Sequence, residues 1–556
     1  MTVVTVRYDG TSTGEGPVTL GQANMILCIR RDDPDQINKH AVWPVPPGAT
    51  VPEALGALRR LAERHESLRT TFAVDGRQAV HAAGSFEVTL VEAGPDDQLD
   101  AKADELARLD RPRPFDLAAD FPLRFTLLTQ DGQPARLAVV VCHTSADGAA
   151  TSILFEEWYT LLSGAELAAL SAPTPLEIAE AEHSAAGRRR TAASLKHWEK
   201  ILLTSPAAVF ADSGLTGPAD QLATLAIRSQ EAARQLEAAC ARTGASHSSV
   251  LLGVFAALVA HRADQPQLAM AALSANRHRA QLATHVGTLA QDALIALDAG
   301  VGDLDELIGR TKAAAFAGYW HSTLDAPRIW ELVEDAAHQR GARWNRQVVV
   351  NDLSLTVPEA AARARPLPTA EPELSWYPDE PVPVRVMMNI WRVSEVVEIS
   401  LHTCPQVLDR QESELFACGL LKLVAAVAEG PVELSRLTEL TGLERRVRVG
   451  EWEEVDGSRI DLAAVRTLLA DALGADLAAE VAVRDGRLTA WLDAGDRPLT
   501  PAKVHRAVVA ALPGRETAMA PQYYVLRGAA PAEGSGRETG PAAVAGLPGT
   551  PVGALG

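Results

Sequence analysis

Long apolar runs are missing from this sequence. None approaches the roughly 18 residues that a membrane-spanning helix needs, so no membrane partner is expected. The first residues, Met1-Thr2-Val3-Val4-Thr5, lack a basic region followed by an apolar stretch and are not expected to be a secretory leader. Cysteine is scarce: Cys28, Cys142, Cys240, Cys404 and Cys418 are scattered with no paired spacing. That excludes a disulfide framework and a zinc site, and it points to a reducing cytoplasm. Positive charge is in the minority, with 52 Lys and Arg against 71 Asp and Glu, a net charge of −19. Nucleic acid, which demands a basic face, is therefore not an expected partner. No Gly-rich phosphate loop is visible, nor any Ser or Cys motif for a covalent acyl-enzyme; no bound cofactor is expected.

What is present is ample apolar content, 47% of 556 residues, enough for about three units rather than one core. Abundant Ala, Arg, Gly and Pro suit a high-GC bacterial source. Residues 1–175 mix a helix at Val51–Arg64 with strands near Val88 and at Arg124–Leu128. Ser171-Ala172-Pro173-Thr174-Pro175 reads as a linker. Residues 176–430 repeat the mixture: a strongly apolar helix at Ser248–Arg262, strands at Leu268–Leu273, Val348–Asp352, Val384–Ile390 and Val396–Leu401, and an amphipathic helix at Glu412–Ala428. Alternating strands and helices predict an α/β (α+β layered) architecture in each half. Residues 431–527 form a third, smaller α/β unit. The tail, 528–556, is rich in Gly, Ala and Pro with little to bury, which predicts disorder.

The most informative stretch is Cys142-His143-Thr144-Ser145-Ala146-Asp147-Gly148. It follows the short β-branched run Leu137–Val141, a buried strand by pattern, and precedes a helical pattern from Ala149 to about Leu162. His143 thus stands where a strand ends and the chain turns toward a helix, a place where functional side chains gather. Asp147 and Gly148 close the turn, Gly permitting an unusual backbone angle. Cys142 and His143 are neighbours in an extended run, so their side chains point to opposite faces. Cys142 therefore reads as a packing residue rather than a nucleophile.

This stretch resembles the HHxxxDG signature of the condensation domains of nonribosomal peptide synthetases, with Cys142 in place of the first His. Four further stretches resemble family motifs in the right order. Arg64-His65-Glu66-Ser67-Leu68-Arg69-Thr70-Thr71-Phe72 is similar to the second core motif. Pro114-Phe115-Asp116-Leu117 with Pro122-Leu123-Arg124 resembles the segment before the central strand. Ala275-Asn276-Arg277-His278-Arg279 with Val286-Gly287 resembles the approach to the floor loop. Thr19-Leu20-Gly21-Gln22-Ala23 resembles a weakened opening motif.

The resemblance implies two chloramphenicol-acetyltransferase-like lobes in a V, with the motif at their interface in a tunnel open at both faces. It implies a reaction joining an acyl thioester, held on the phosphopantetheine arm of an acyl-carrier or peptidyl-carrier protein, to an amine or hydroxyl nucleophile. His143 is the implied catalytic residue. Asp147 is implied to brace the loop, with Arg277 as its partner, and Gly148 to give the loop room above the substrate arm. His65 reads as packing, and His278 and His402 as surface or core residues. Two departures stand out. Cys142 replaces a His, and Thr288-Leu289-Ala290-Gln291-Asp292 lacks the usual floor-loop character, which bears on donor recognition.

Gly457-Ser458-Arg459-Ile460-Asp461-Leu462 and Val483-Arg484-Asp485-Gly486-Arg487 resemble the small C-terminal subdomain of adenylation enzymes, Asp-Gly forming a hairpin turn. Arg537 stands near that family's Lys, which Arg replaces poorly. No large adenylating subdomain precedes the piece, so it reads as a vestige.

A neutral imidazole near its ordinary pKa can accept a proton from the nucleophile, typically for about 10²- to 10⁴-fold, or simply orient it; the sequence leaves both roles open. No carrier attachment site is visible, no Gly-Asp-Ser or Gly-Gly-Ser in a suitable helix, so a free-standing enzyme meeting its carrier in trans is expected. The acceptor is a small amine or alcohol, free or carrier-bound. An acyltransferase using coenzyme A, an epimerase relative and a catalytically silent carrier-docking module are the alternatives. A heterocyclising variant would need Asp where His143 stands.

Overall fold

The strand Gln133–Val141 is buried over its second half because Leu137–Val141 are apolar on both faces. It lies inside a five-stranded sheet in the order Thr2–Asp9, Ala83–Glu92, Leu123–Gln130, Gln133–Val141, Lys39–Pro44. The structure, a computed structural model, describes residues 1–211, 215, 221–300, 302–356, 367–368, 371–528 and 531–537. Alternation splits the central strand between two cores. Leu137, Val139 and Val141 face helices Val51–Arg64 and Gly148–Leu162, in a cluster with Leu58, Leu61, Leu154 and Trp158. Ala138, Val140 and Cys142 face helix Leu99–Asp110 through Ala103 and Ala107. Helix Val51–Arg64 starts at a capping box in which Thr50 and Glu53 satisfy each other's backbone N–H groups.

The second lobe is built on seven strands, in the order Gln291–Asp298, Gln267–Ser274, Val348–Asp352, Val386–Arg392, Val397–Thr403, Leu222–Ser229, Glu373–Glu380. Helix His247–Ala263 is buried from Val250 onward and packs with Arg410–Glu429, Gln230–Thr243 and Leu304–Trp320 in one large core. On the other face Ala185–Thr204 and Ala326–Arg340 bury Trp198, Ile201, Ile329 and Val333 against Leu294 and Ala269. The sequence-predicted elements sit within a few residues of these limits. Among the described residues no single helix is long and apolar enough to cross a membrane.

Two boundaries differ from expectation. Helix Arg410–Glu429 ends at Gly430, but the second lobe does not. The Leu304 N–H bonds the Val432 carbonyl at 2.9 Å, and Val432, Leu437 and Leu443 are buried in the large core. The boundary drawn at 430 therefore moves to about residue 450. Beyond it, strands Trp452–Val455, Ser458–Asp461, Ala479–Arg484, Arg487–Gly495 and Tyr523–Gly528 and helices Leu462–Leu473 and Pro501–Ala510 enclose a core of their own around Val465, Leu488, Val508 and Tyr524. Asp485 and Gly486 both carry positive φ, 50° and 73°, and turn the hairpin between Arg484 and Arg487. The disorder expected from residue 528 is corrected at its start. Ala532–Gly534 forms a strand against Tyr524–Leu526, because that edge offers unpaired backbone groups and chain proximity supplies the partner. Residues 538–556 lie outside the described residues.

The small unit is joined to the second lobe by buried polar contacts. Arg385 and Glu516 pair at 2.9 Å with side chains 3% and 9% exposed. The Ala520 N–H bonds the Gly341 carbonyl at 2.7 Å, and Arg340 donates to the Asp456 carbonyl at 2.9 Å. Ala207 and Ala342 of the lobe belong to the small unit's core.

Candidate active site

His143 follows the last residue of strand Gln133–Val141 by two positions, in a turn closed by Ser145 N–H bonding the Cys142 carbonyl at 3.1 Å. Asp147 then caps helix Gly148–Leu162, its Oδ1 accepting from the Ala150 N–H at 2.9 Å. A strand and a helix meeting in so few residues fix the height of His143 above the sheet.

Asp147 Oδ2 does more. It accepts from Arg277 Nη1 at 2.8 Å, from the Leu289 N–H at 2.9 Å and from the Ala290 N–H at 3.0 Å. The carboxylate is only 1% exposed. Burial raises its pKa, but the Arg277 guanidinium and the N–H donors outweigh this and hold it below the ordinary carboxylate value. Arg277 in turn reaches the carbonyls of Ala275 at 3.0 Å, Gly287 at 3.0 Å and His285 at 3.3 Å. One carboxylate of the first lobe thus gathers the loop at residues 285–290 of the second. Asn276 supports the same loop. At φ 52° it donates to the Leu289 carbonyl at 2.9 Å and the Ser322 carbonyl at 3.2 Å.

Thr288 Oγ1 donates a short hydrogen bond to the backbone carbonyl of His143 itself. Gly21, from the first helix, touches this loop so closely that a Cβ there would collide with the Thr288 carbonyl oxygen. Glycine at position 21 is thus required by close approach of backbones. The His143 imidazole is partly exposed, and its Nδ1 is buried without a hydrogen-bond partner. Burial first, and then the Lys39 ammonium, push its pKa down to about 4, against the opposing pull of Asp147. At neutral pH the ring is uncharged and able to accept a hydrogen bond.

Cys142 points into the core beside Val140 and Phe115, its Sγ 3.0 Å from Thr144 Oγ1. Burial raises the thiol's pKa, which removes thiolate character. Gly148 corrects an expectation. Its φ is not in the left-handed region; it is the first residue of the helix, exposed, and a Cβ placed on it would meet only Leu353, at ordinary contact distance. The Asp147 cap, rather than a glycine angle, closes the turn.

The other motif stretches hold this frame. His65 Nε2 lies 2.6 Å from Glu157 Oε2 and Arg64 donates to Glu157 Oε1 at 3.1 Å, tying the second core motif to the helix that starts at Gly148. Arg124 stacks 3.8 Å over the Phe115 ring and donates to the Arg113 carbonyl at 2.6 Å. His278 is exposed, while His402 lies on a strand with its Nδ1 3.1 Å from Thr224 Oγ1. Arg537 donates to the Arg340 carbonyl at 3.4 Å. Sequence reasoning singled out Thr288, Leu289 and Ala290 only as a departure in the floor loop, not for their contacts with His143 and Asp147, and did not single out Lys39. Only Gly21 carried a signal, as part of the opening motif.

Residues 34–354 match the family described as the condensation domain. The chain belongs to the condensation-domain family. A curated relative, phosphinothricin tripeptide synthetase PhsC of Streptomyces viridochromogenes, is 32% identical over 285 residues, covering 48% of this chain and 26% of the relative. Chondramide synthase cmdD of Chondromyces crocatus is 24% identical over 422 residues, 72% of this chain but 10% of its own length. This condensation domain thus spans a minor part of these long relatives. Among solved structures, the X-domain from teicoplanin biosynthesis superposes with a TM-score of 0.58 at 20% identity, covering 77% of this chain and 98% of that one. The condensation domain from the monacolin K polyketide synthase MokA gives 0.60 at 16% identity, covering 76% and 99%. The two-lobe fold of this condensation domain is thereby shared with a domain of teicoplanin biosynthesis and with one of a polyketide synthase.

Proposed function

We propose that this condensation domain joins an acyl thioester, carried by a carrier protein in trans, to a small amine or alcohol in bacterial natural-product biosynthesis. The observation that carries the reading is the state of His143. Its imidazole is neutral and partly exposed, while its backbone is pinned by Thr288 and its loop by Asp147. Such a ring accepts a hydrogen bond from an attacking N–H or O–H. A base with a pKa near 4 takes a full proton poorly at neutral pH, which favours orienting the nucleophile over abstracting its proton. The phosphopantetheine arm belongs to the carrier; no cofactor of the protein's own is invoked.

Cys142 and Asp147 then have packing and bracing roles, Arg277 neutralises Asp147, and Gly148 leaves space in front of the helix terminus. Residues from about 452 onward are read as a vestige of an adenylation subdomain that now packs on the second lobe. The Arg537 guanidinium, directed at the Arg340 carbonyl, supports the packing.

The test is intact-mass detection of product from loaded carrier proteins with a panel of amines and alcohols, with coenzyme A thioesters as the small-donor control. Product from carrier thioesters, lost in His143→Ala with folding retained, is the expected result. Wild-type rates in His143→Ala would remove both the base and the positioning roles. A second reading, a silent docking module, is favoured by Cys142 in place of the family's first His. It predicts carrier binding without product.

A further inference from the structure

Lys39 is the first residue of the edge strand Lys39–Pro44, and it pairs in register with Val141, two residues before His143. Its neighbour His40 turns to the opposite face, where Nε2 lies 3.2 Å from Asp104. Lys39 therefore shares the face of Val141, the last residue of the strand that leads to His143. Its side chain is exposed to solvent, yet it is surrounded by charged groups from both lobes: Arg111 of the first lobe, Arg346 and Glu380 of the second, with Cys28 also nearby. Burial among these groups lowers the Lys39 pKa to about 8, and its charge acts on His402 and His143.

The cations around it are already matched. Arg346 pairs bidentately with Asp292, at 2.7 and 3.0 Å. Arg111 pairs with Asp35 at 2.6 Å and Glu380 at 2.8 Å. Arg31 pairs with Asp32. Lys39 differs. Its ammonium donates to the Gln36 carbonyl at 3.2 Å, and among the described residues it has no carboxylate partner. An ammonium without a carboxylate partner, whose charge acts on the His143 imidazole, is a site prepared for an anion.

We propose that Lys39 binds an anionic group of the substrate beside His143: a carboxylate on the small acceptor, or the phosphate of the carrier's arm. The inference rests on the condensation reading and deepens it. An anion on Lys39 has a second consequence. It cancels the positive charge that disfavours a protonated His143, and so makes the imidazole a stronger acceptor only when the substrate is seated. Substrate charge would then set the basicity of the residue that handles the nucleophile.

Two matched pairs distinguish the sources. The first is 4-aminobutyrate against its methyl ester as acceptor. The second is an acyl thioester of phosphopantetheine against that of pantetheine as donor. For the pair that uses Lys39, wild-type enzyme prefers the anionic member, and Lys39→Met lowers that preference in kcat/KM by about ten- to a hundredfold, the worth of one charge-assisted hydrogen bond. Lys39→Arg retains much of it. Preferences unchanged by Lys39→Met in both pairs would overturn the proposal.

Binding is read separately, so that failure of the condensation reading leaves the proposal testable. The His143 imidazole is titrated by NMR with and without saturating succinate or inorganic phosphate. In wild type the anion raises the titration midpoint by about one unit; in Lys39→Met the midpoint is already raised and the anion leaves it alone. Product with no anion effect in either assay would retain the reaction and reject Lys39. An anion effect without any product would retain Lys39 and reject the reaction.

Discussion

Replacing Asp147 by Ala removes four hydrogen bonds at one stroke: those from Arg277 Nη1 and the Leu289, Ala290 and Ala150 N–H groups. The Arg277 side chain, 8% exposed, is left as a buried charge whose remaining partners are carbonyls. Breaking a buried ion pair by removing one partner costs about 3–5 kcal/mol. Loss of the helix cap alone is worth about 1 kcal/mol, and since the terms share one carboxylate they do not simply add. The expected destabilisation is thus about 3–5 kcal/mol for Asp147→Ala, concentrated where the lobes meet. Asp147→Asn keeps one carbonyl oxygen. Placed at the Oδ2 position it still accepts from three donors, but it forfeits the cap and leaves the Arg277 charge without a counterion, so its cost should be about 2–3 kcal/mol, below that of Asp147→Ala. Denaturant titration followed by tryptophan fluorescence reads the global effect. Hydrogen exchange of the Leu289 and Ala290 amides reads the local one, and should accelerate sharply in Asp147→Ala. Arg277→Ala in the Asp147→Ala background should cost less than in wild type, because its charge has already lost its partner. An Asp147→Ala protein with wild-type stability and wild-type exchange at 289–290, but no activity, would refute bracing and make Asp147 a chemical participant.

The remaining predictions are briefer. Gly21→Ala should displace residue 288 and lower activity through the His143 carbonyl contact, with a stability cost of about 1–3 kcal/mol; crystallography or exchange at 287–290 would show it. His143, His285 and His402 each have a pKa lowered to about 4, all with burial as the leading cause, so the unfolded chain binds protons that the folded chain refuses. Stability should accordingly fall as pH drops from about 6.5 toward 4, by up to a few kcal/mol for each group; Glu182, raised to about 7 by burial, opposes this between its ordinary value and 7, and denaturant midpoints against pH test the sum. The purified protein should not exchange pyrophosphate into ATP with any amino acid, and ATP-dependent exchange would sink the vestige reading. Truncation near residue 450 should destabilise the second lobe, since it removes Glu516 from Arg385 and uncovers Ala207 and Ala342; an unchanged unfolding midpoint would contradict that accounting.

The site was legible in the sequence to the extent that it is local. A β-branched run, then His143, then an Asp-Gly before a helical pattern reads as strand, turn and helix, because strand pairing, capping and helix periodicity act over a few residues. Even here Gly148 misled: the Asp147 cap closes the turn that a positive φ was expected to close. Arg277 came from resemblance, not from any spacing, since it lies 130 positions from Asp147. The unit boundary at 430 failed because a helix ending in Gly430 looks like a stop, whereas Leu304 recaptures the chain at Val432.

Sequence by itself therefore determined the α/β layers, the order of the motifs and the position of His143 at a strand end. Tertiary structure decided what surrounds it. The Leu289 and Ala290 donors are backbone N–H groups, which every residue but Pro carries, so no residue type announces them. Thr288 meets the His143 carbonyl 145 positions away, and strand register sets Lys39 opposite Val141 at the end of the strand that leads to His143. Such contacts exist only once two lobes, each stabilised by its own core, are packed together, and no pattern within either lobe encodes the partner it will find in the other.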